Sequence, residues 1–240
     1  MVNLEHIKLK NIGRIIMKRI FFAFMMLMFV PVIALCSTAT VPDQEIDLNP
    51  QGWIAGGTLK FKPGSQVELN ERGDVISGVL KFDEYLRSIG KGYDNHGLSD
   101  SQRPTPSNFL FFKGYNSIII FDEHGRVISG TLAGSSYIYL IPDTDPCIKF
   151  KGDTVIVFDK NGNLKTGTIN EDYYLRPLGG NNFLPSNAEF IKFKAGTEVV
   201  FGANAKVVKG TIANDLTING ITYSAGTPLQ FSESANPQKI

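Results

Sequence analysis

From residue 48 onward, short apolar runs alternate with polar bends, and one twelve-residue pattern returns with different side chains. Its clearest copy is Phe121-Asp122-Glu123-His124-Gly125-Arg126-Val127-Ile128-Ser129-Gly130-Thr131-Leu132; Leu69–Leu80, Phe158–Ile169 and Phe201–Ile212 are variants, and Leu48–Leu59 is a weaker one. In every copy the bulky residue before the bend lies nine positions ahead of a glycine: Leu48 to Gly57, Leu69 to Gly78, Phe121 to Gly130, Phe158 to Gly167, Phe201 to Gly210. A fixed offset inside the unit with variable distance between units is what one supersecondary element joined by unequal loops produces.

The runs ahead of each bend, such as Phe150–Phe158 and Phe193–Phe201, are rich in β-branched and aromatic residues and too short for helices, so each reads as a strand. Asn70-Glu71-Arg72-Gly73, Asp122-Glu123-His124-Gly125 and Asp159-Lys160-Asn161-Gly162 place Asx first and Gly fourth, the signature of a type I turn closing a G1-bulge hairpin. In the fifth unit Asn204-Ala205 replaces the glycine, and either Asn204 takes the left-handed position or that turn differs. A third short strand follows at Tyr85-Leu86, Tyr137-Ile138, Tyr173-Tyr174-Leu175 and Leu216-Thr217-Ile218, each introduced by Asp83, Ser135, Asp172 or Asp215 as a local turn former. Asn219-Gly220 then joins Ile218 to Ile221 as a tight hairpin, so third strands pair with the first strands that follow them. The expectation is an all-β antiparallel meander of repeated β-hairpins, an elongated or partly rolled sheet over 40–231. Its units lie near 40–59, 61–86, 112–138, 150–175 and 193–218, with a half unit at 223–231 and a polar tail at 232–240.

The amino-terminal part differs in kind. Lys18-Arg19 precede the apolar run Ile20–Leu35, which contains Pro31 and leads into small residues, and this predicts a secretory signal helix within 1–36. Met17 ahead of Lys18-Arg19 is an alternative translation start. The run falls short of the roughly 20 residues of a spanning helix, so no stable transmembrane anchor is expected after processing. Cleavage fits after Ala34-Leu35-Cys36 or after Ser37-Thr38-Ala39, and Ile33-Ala34-Leu35-Cys36 also resembles a lipobox, making Cys36 a lipidation candidate despite Leu35. Thr40–Leu48 aligns with Phe61–Leu69, so the first unit opens the array, with Trp53 covering the open end of the sheet.

Charge removes one class of function. Residues 1–36 hold five of the 24 basic residues and one of the 23 acidic ones, leaving 19 basic against 22 acidic, a net −3. With no basic cluster, nucleic-acid binding is not expected. Residues 87–111 read as the longest insertion, and Tyr93, Asp94, His96 and Asp100 there would suit a sugar or an ion, although a single His lacks metal-ligand spacing. His124 stands where the other units carry Gln51, Arg72 or Asn161, so it reads as an exposed turn residue. The third-strand aromatics Tyr85, Tyr137, Tyr139, Tyr173 and Tyr174 form either a binding stripe or cross-strand packing. No cofactor, metal or nucleophile–base set is expected.

The segments Phe121–Leu132 and Phe158–Ile169 resemble MORN-type repeats in their bacterial variant, over about twenty residues per unit. The Gly-Glu-Trp signature is missing, and the third strand and unequal spacers depart from the family. The resemblance implies an elongated sheet used for protein or membrane-surface contact, with no catalytic residues to carry over. The reading is an exported, non-enzymatic repeat protein of the periplasm, envelope or exterior, whose partner is another protein or an envelope component. Two alternatives stand beside it: a small-ligand or glycan binder or hydrolase with its site in 87–111, and an outer-membrane β-barrel built from strands of about nine residues.

Overall fold

In the computed structural model, residues 36–43, 48–53, 58–93, 106–184, 189–233 and 236–240 are described; the expected signal helix within 1–36 lies outside them, save Cys36. In chain order the strands are β1 (Ser37–Thr40), β2 (Gln66–Leu69), β3 (Val75–Val79), β4 (Glu84–Tyr93), β5 (Pro106–Phe112) and β6 (Ile118–Phe121). Next come β7 (Val127–Thr131), β8 (Ser136–Ile141), β9 (Thr144–Phe150), β10 (Val155–Phe158), β11 (Leu164–Thr168), β12 (Tyr173–Leu175) and β13 (Ile191–Phe193). The last are β14 (Glu198–Phe201), β15 (Val207–Thr211), β16 (Leu216–Ile218), β17 (Ile221–Tyr223), β18 (Pro228–Gln230) and β19 (Gln238–Lys239). The chain is the antiparallel hairpin meander that its pattern predicts.

The unit holds four strands rather than three. Phe150–Phe158 is two strands, β9 and β10, separated by a turn at Lys151–Thr154 where Asp153 has φ 59°. The same break falls at Lys62–Ser65 (Gly64, φ 74°), at 113–117 (Tyr115, φ 61°) and at Lys194–Thr197 (Gly196, φ 72°). Ser65, Thr154 and Thr197 close three of these turns, each hydroxyl donating to the carbonyl of the turn's lysine at 2.6 Å. The strands on either side of the repeated turns, β2/β3, β6/β7, β10/β11 and β14/β15, are therefore four or five residues long.

With the break in place, the chain alternates between two sets of hairpins. The first set forms one ladder in the order β1-β2-β3-β6-β7-β10-β11-β14-β15-β18-β19. Each of its long-repeat hairpins shifts register once: Phe121 pairs with Val127 but Ile120 with Ser129, and Phe158 with Leu164 but Val157 with Thr166. The extra residue there is Ile128 or Lys165; the predicted bulge lies nearer the turn, at Gly125-Arg126, where Asp122 N–H donates to Arg126 O (2.8 Å) and Gly125 N–H to Asp122 O (3.1 Å), and likewise at Gly162-Asn163. Asp122 Oδ1 accepts from the backbone N–H groups of His124 (2.9 Å) and Arg126 (2.8 Å), and Asp159 and Asn70 do the same in their own turns. Gly73, Gly125 and Gly162 take positive φ; in the fifth unit both Asn204 and Ala205 sit at φ 55°, so alanine does occupy the glycine position there.

Hairpins β4/β5, β8/β9, β12/β13 and β16/β17 form the second set. Asn219 and Gly220 (φ 49° and 80°) make the tight turn of the last one, as expected. Asp83, Ser135, Asp172 and Asp215 do not act locally. Their side-chain oxygens accept from the backbone N–H of Gly114, Gly152, Ala195 and Ala225, in the turn that follows the second-set hairpin, thereby fastening one unit to the next.

The core lies between the sets. Phe112, Phe150 and Phe193 are fully buried, as are Leu132, Ile169 and Ile212, which bridge to them. The recurring glycine before Thr-Leu is explained by these rings. A Cβ on Gly130, Gly167 or Gly210 would stand 2.7–2.8 Å from the ring of Phe112, Phe150 or Phe193. Its conformation is ordinary; what it supplies is room.

Unequal spacers have a structural use. Pro50 bridges in parallel to Val75, Ser88 to Val127 and Pro177 to Val207, each at the first residue after a bulge. Trp53 belongs to the first of these straps and packs half-buried on the core beside the 122–126 turn, not at the end of the sheet. In the third strap a single helical turn, α1 (Gly180–Phe183), lays Phe183 on Phe231, with ring centroids 6.1 Å apart. The tail is not free: β19 pairs with β18. Nor do Thr40 and Val41 stand as Phe61 and Lys62 do, because Thr40 belongs to β1, which pairs with β2, and Val41 is buried.

Candidate interaction surface

Within the expected insertion 87–111, the described residues, 87–93 and 106–111, are strand. β4 continues to Tyr93 and β5 begins at Pro106, and β4 also reaches β8 through Gly92–Ile138 and Tyr93–Tyr137. Asp94, His96 and Asp100 lie outside the described residues. Tyr93 is half-buried, its hydroxyl hydrogen-bonded to that of Tyr139 with ring centroids 5.4 Å apart. Cys36 is exposed at the start of β1, and His124 is an exposed turn residue 3.7 Å from Glu123 Oε1.

Three of the five aromatics singled out in the sequence occupy one repeated position. Along β4, β8 and β12 the residues Leu86, Ile138 and Leu175 turn inward and are buried, so strand alternation turns Tyr85, Tyr137 and Tyr174 outward. Each faces a residue of its own hairpin, and Tyr137 is also paired with Tyr93 of β4. Tyr85 stacks on Phe111 at 4.6 Å and 21°. Lys149 Nζ stands 5.6 Å from the Tyr137 ring centroid, and Lys192 Nζ 5.9 Å from that of Tyr174. In the fourth copy Thr217 and Thr222 hydrogen-bond at 3.0 Å. Tyr174 is 64% exposed, and beside it Arg176 lies over the 50%-exposed ring of Phe190 at 5.4 Å. The surface thus carries flat rings with cations laid on them, an arrangement suited to stacking and charge pairing together.

Tyr173 does something else. Its hydroxyl accepts from Lys149 N–H (2.9 Å) and donates to Glu171 Oε1 (2.8 Å), which joins β12 to the neighbouring hairpin. Burial pushes its pKa up to about 12; the Lys149 amide acts against that shift and Glu171 adds to it. Asp172 is held below the usual carboxylate range by the Ala195 N–H and then by Lys192, 3.2 Å away. Lysine 192 is therefore anchored at one end of the surface.

The lysine partners escaped notice in the sequence, yet their signal is there. Ile148-Lys149-Phe150-Lys151 and Ile191-Lys192-Phe193-Lys194 alternate strictly, which places Ile and Phe inside and Lys outside.

A second concavity lies where β4 crosses the first ladder, an open cleft of about 310 Å³ lined by Ile89, Asp122, Glu123, Arg126, Ile128, Phe158 and Lys160. Arg126 is engaged by Asp122 at 2.7 Å, and Glu123 and Lys160 are the other two charged residues of the lining. Burial raises the Asp122 pKa, but the amides of Arg126 and His124 and the Arg126 guanidinium outweigh it and hold the carboxyl below its ordinary value. Among the described residues no three His, Cys, Asp or Glu side chains are grouped to hold a metal ion. No family model, curated protein or solved structure matches the chain.

Proposed function

We propose that this is an exported, non-enzymatic repeat protein that binds another protein or an envelope component through the outer face of its second-set hairpins. The observation that supports this reading is the recurrence of an outward tyrosine, Tyr85, Tyr137 and Tyr174, at equivalent positions of three successive units, against Phe111, Lys149 and Lys192 respectively. A core needs the inward residues to recur; it places no demand on outward rings and lysines. Extended arrays offer such recurrent surfaces, and the MORN-type resemblance of the hairpin sequence points to the same use.

The test is a triple replacement, Tyr85→Ser, Tyr137→Ser and Tyr174→Ser, which spares every inward side chain. The folded variant is expected to lose retention on isolated envelope material by at least tenfold, about 1.4 kcal/mol, with an unchanged circular-dichroism spectrum. Undiminished retention would exclude this face. The cleft beside Ile89 favours a second reading, a small-ligand site; Lys160→Ala would then weaken binding of an anionic ligand and leave envelope retention intact.

A further inference from the structure

We infer that the leader is removed ahead of Ser37, so that the exported chain keeps the whole of β1. This rests on the reading of residues 18–35 as an export signal. Besides the lipobox cut ahead of Cys36, the sequence alone offers two scission points, after Cys36 and after Ala39, and both satisfy the small-residue requirement.

The structure separates them, because β1 is a member of the repeat. Thr40 pairs with Gln66 as Thr131 pairs with Val155 and Thr168 with Glu198. Ala39 pairs with Val67 as Gly130 does with Ile156 and Gly167 with Val199. Val41 N–H donates to Ser65 O (2.9 Å) and Gly64 N–H to Val41 O (2.9 Å), matching Leu132 N–H to Thr154 O and Asp153 N–H to Leu132 O. Thr38-Ala39-Thr40-Val41 thus holds the ladder position that Ser129-Gly130-Thr131-Leu132 holds in its own unit.

Scission after Ala39 would remove three of the four paired residues of this strand. It would strip Ala39 from the core surface and leave β2, with Val67 only 1% exposed, as a bare edge. Such edges invite unwanted pairing. Scission ahead of Ser37 leaves the edge covered.

The experiment is intact-mass measurement and amino-terminal sequencing of the full-length protein after expression in a secreting host. A chain starting at Ser37, or at an acylated Cys36, supports the inference. A chain starting at Thr40 overturns it while leaving the export reading standing, whereas an unprocessed chain overturns both. As an independent check, purified chains beginning at Ser37 and at Thr40 are melted side by side; the shorter is expected to melt roughly 5 °C lower. Equal melting temperatures would contradict the role assigned to β1.

Discussion

Single atoms decide what the repeated glycine is for. At Gly167 an added Cβ would sit 2.7 Å from both Ile156 and Phe150, two side chains without exposed surface. Gly167→Ala is therefore expected to cost about 1–3 kcal/mol by overpacking, measured by urea unfolding. Gly196→Ala meets nothing within 4 Å and carries only its φ of 72°, so it serves as the control for backbone strain. Thr166 offers the opposite case. Its hydroxyl is buried without a hydrogen-bond partner on the row that continues through Val157 and Val200. Thr166→Val keeps the shape and removes the orphan, and is expected to be neutral or to stabilise by up to about 1 kcal/mol. A loss of stability in the same titration would mean that the hydroxyl has a partner.

At the scale of the element, the bulged hairpin was legible because its determinants are local. Asp122 and Asp159 contact the amides two and four residues on, so an Asx followed by glycine at the fourth position suffices to name the turn. Burial raises both carboxyls, but both are held low, Asp159 by the Asn163 side-chain amide and then the Asn161 and Asn163 N–H groups, Asp122 by the Arg126 N–H, the Arg126 guanidinium and the His124 N–H. Their folded-state pKa values lie below the unfolded value of about 3.9, so their contribution is complete above that pH and is lost as pH falls through the lower, folded value. Asp122→Asn with Asp159→Asn keeps the turn, as Asn70 does natively, and removes the titration. The acid-unfolding limb of this variant is expected to be shallower than that of the wild type, and an identical limb would contradict the assignment. The second turn was less legible for a physical reason. In Phe150–Phe158 the break rests on Asp153 at φ 59° and on the bond from Asp153 N–H to Leu132 O, a contact with another unit. Pro63-Gly64 signalled the turn openly; Gly152-Asp153 and Ala195-Gly196 did so only once aligned with it. The straps at Pro50, Ser88 and Pro177 share only a glycine two residues beyond the bridging residue, Gly52, Gly90 and Gly179, too little to mark them among 24 glycines.

For the whole molecule, the consequence of the four-strand unit is a division of labour. Apolar residues of both hairpin sets face each other, while the outer face of the second set is left to recur without any demand from the core. Tyr85, Tyr137 and Tyr174 were legible as a stripe; their partners Lys149 and Lys192 required the register, which places them opposite. This is why the face stands out only after folding. The alternation between sets is the claim on which the rest depends, and nuclear Overhauser contacts along the backbone of the labelled protein test it most directly. Cross-strand contacts are predicted between Thr131 and Val155 and between Ser136 and Phe150, with Lys151–Thr154 forming a turn between the two ladders. A single uninterrupted ladder running from Phe150 through Lys151–Thr154 to Phe158 would contradict it.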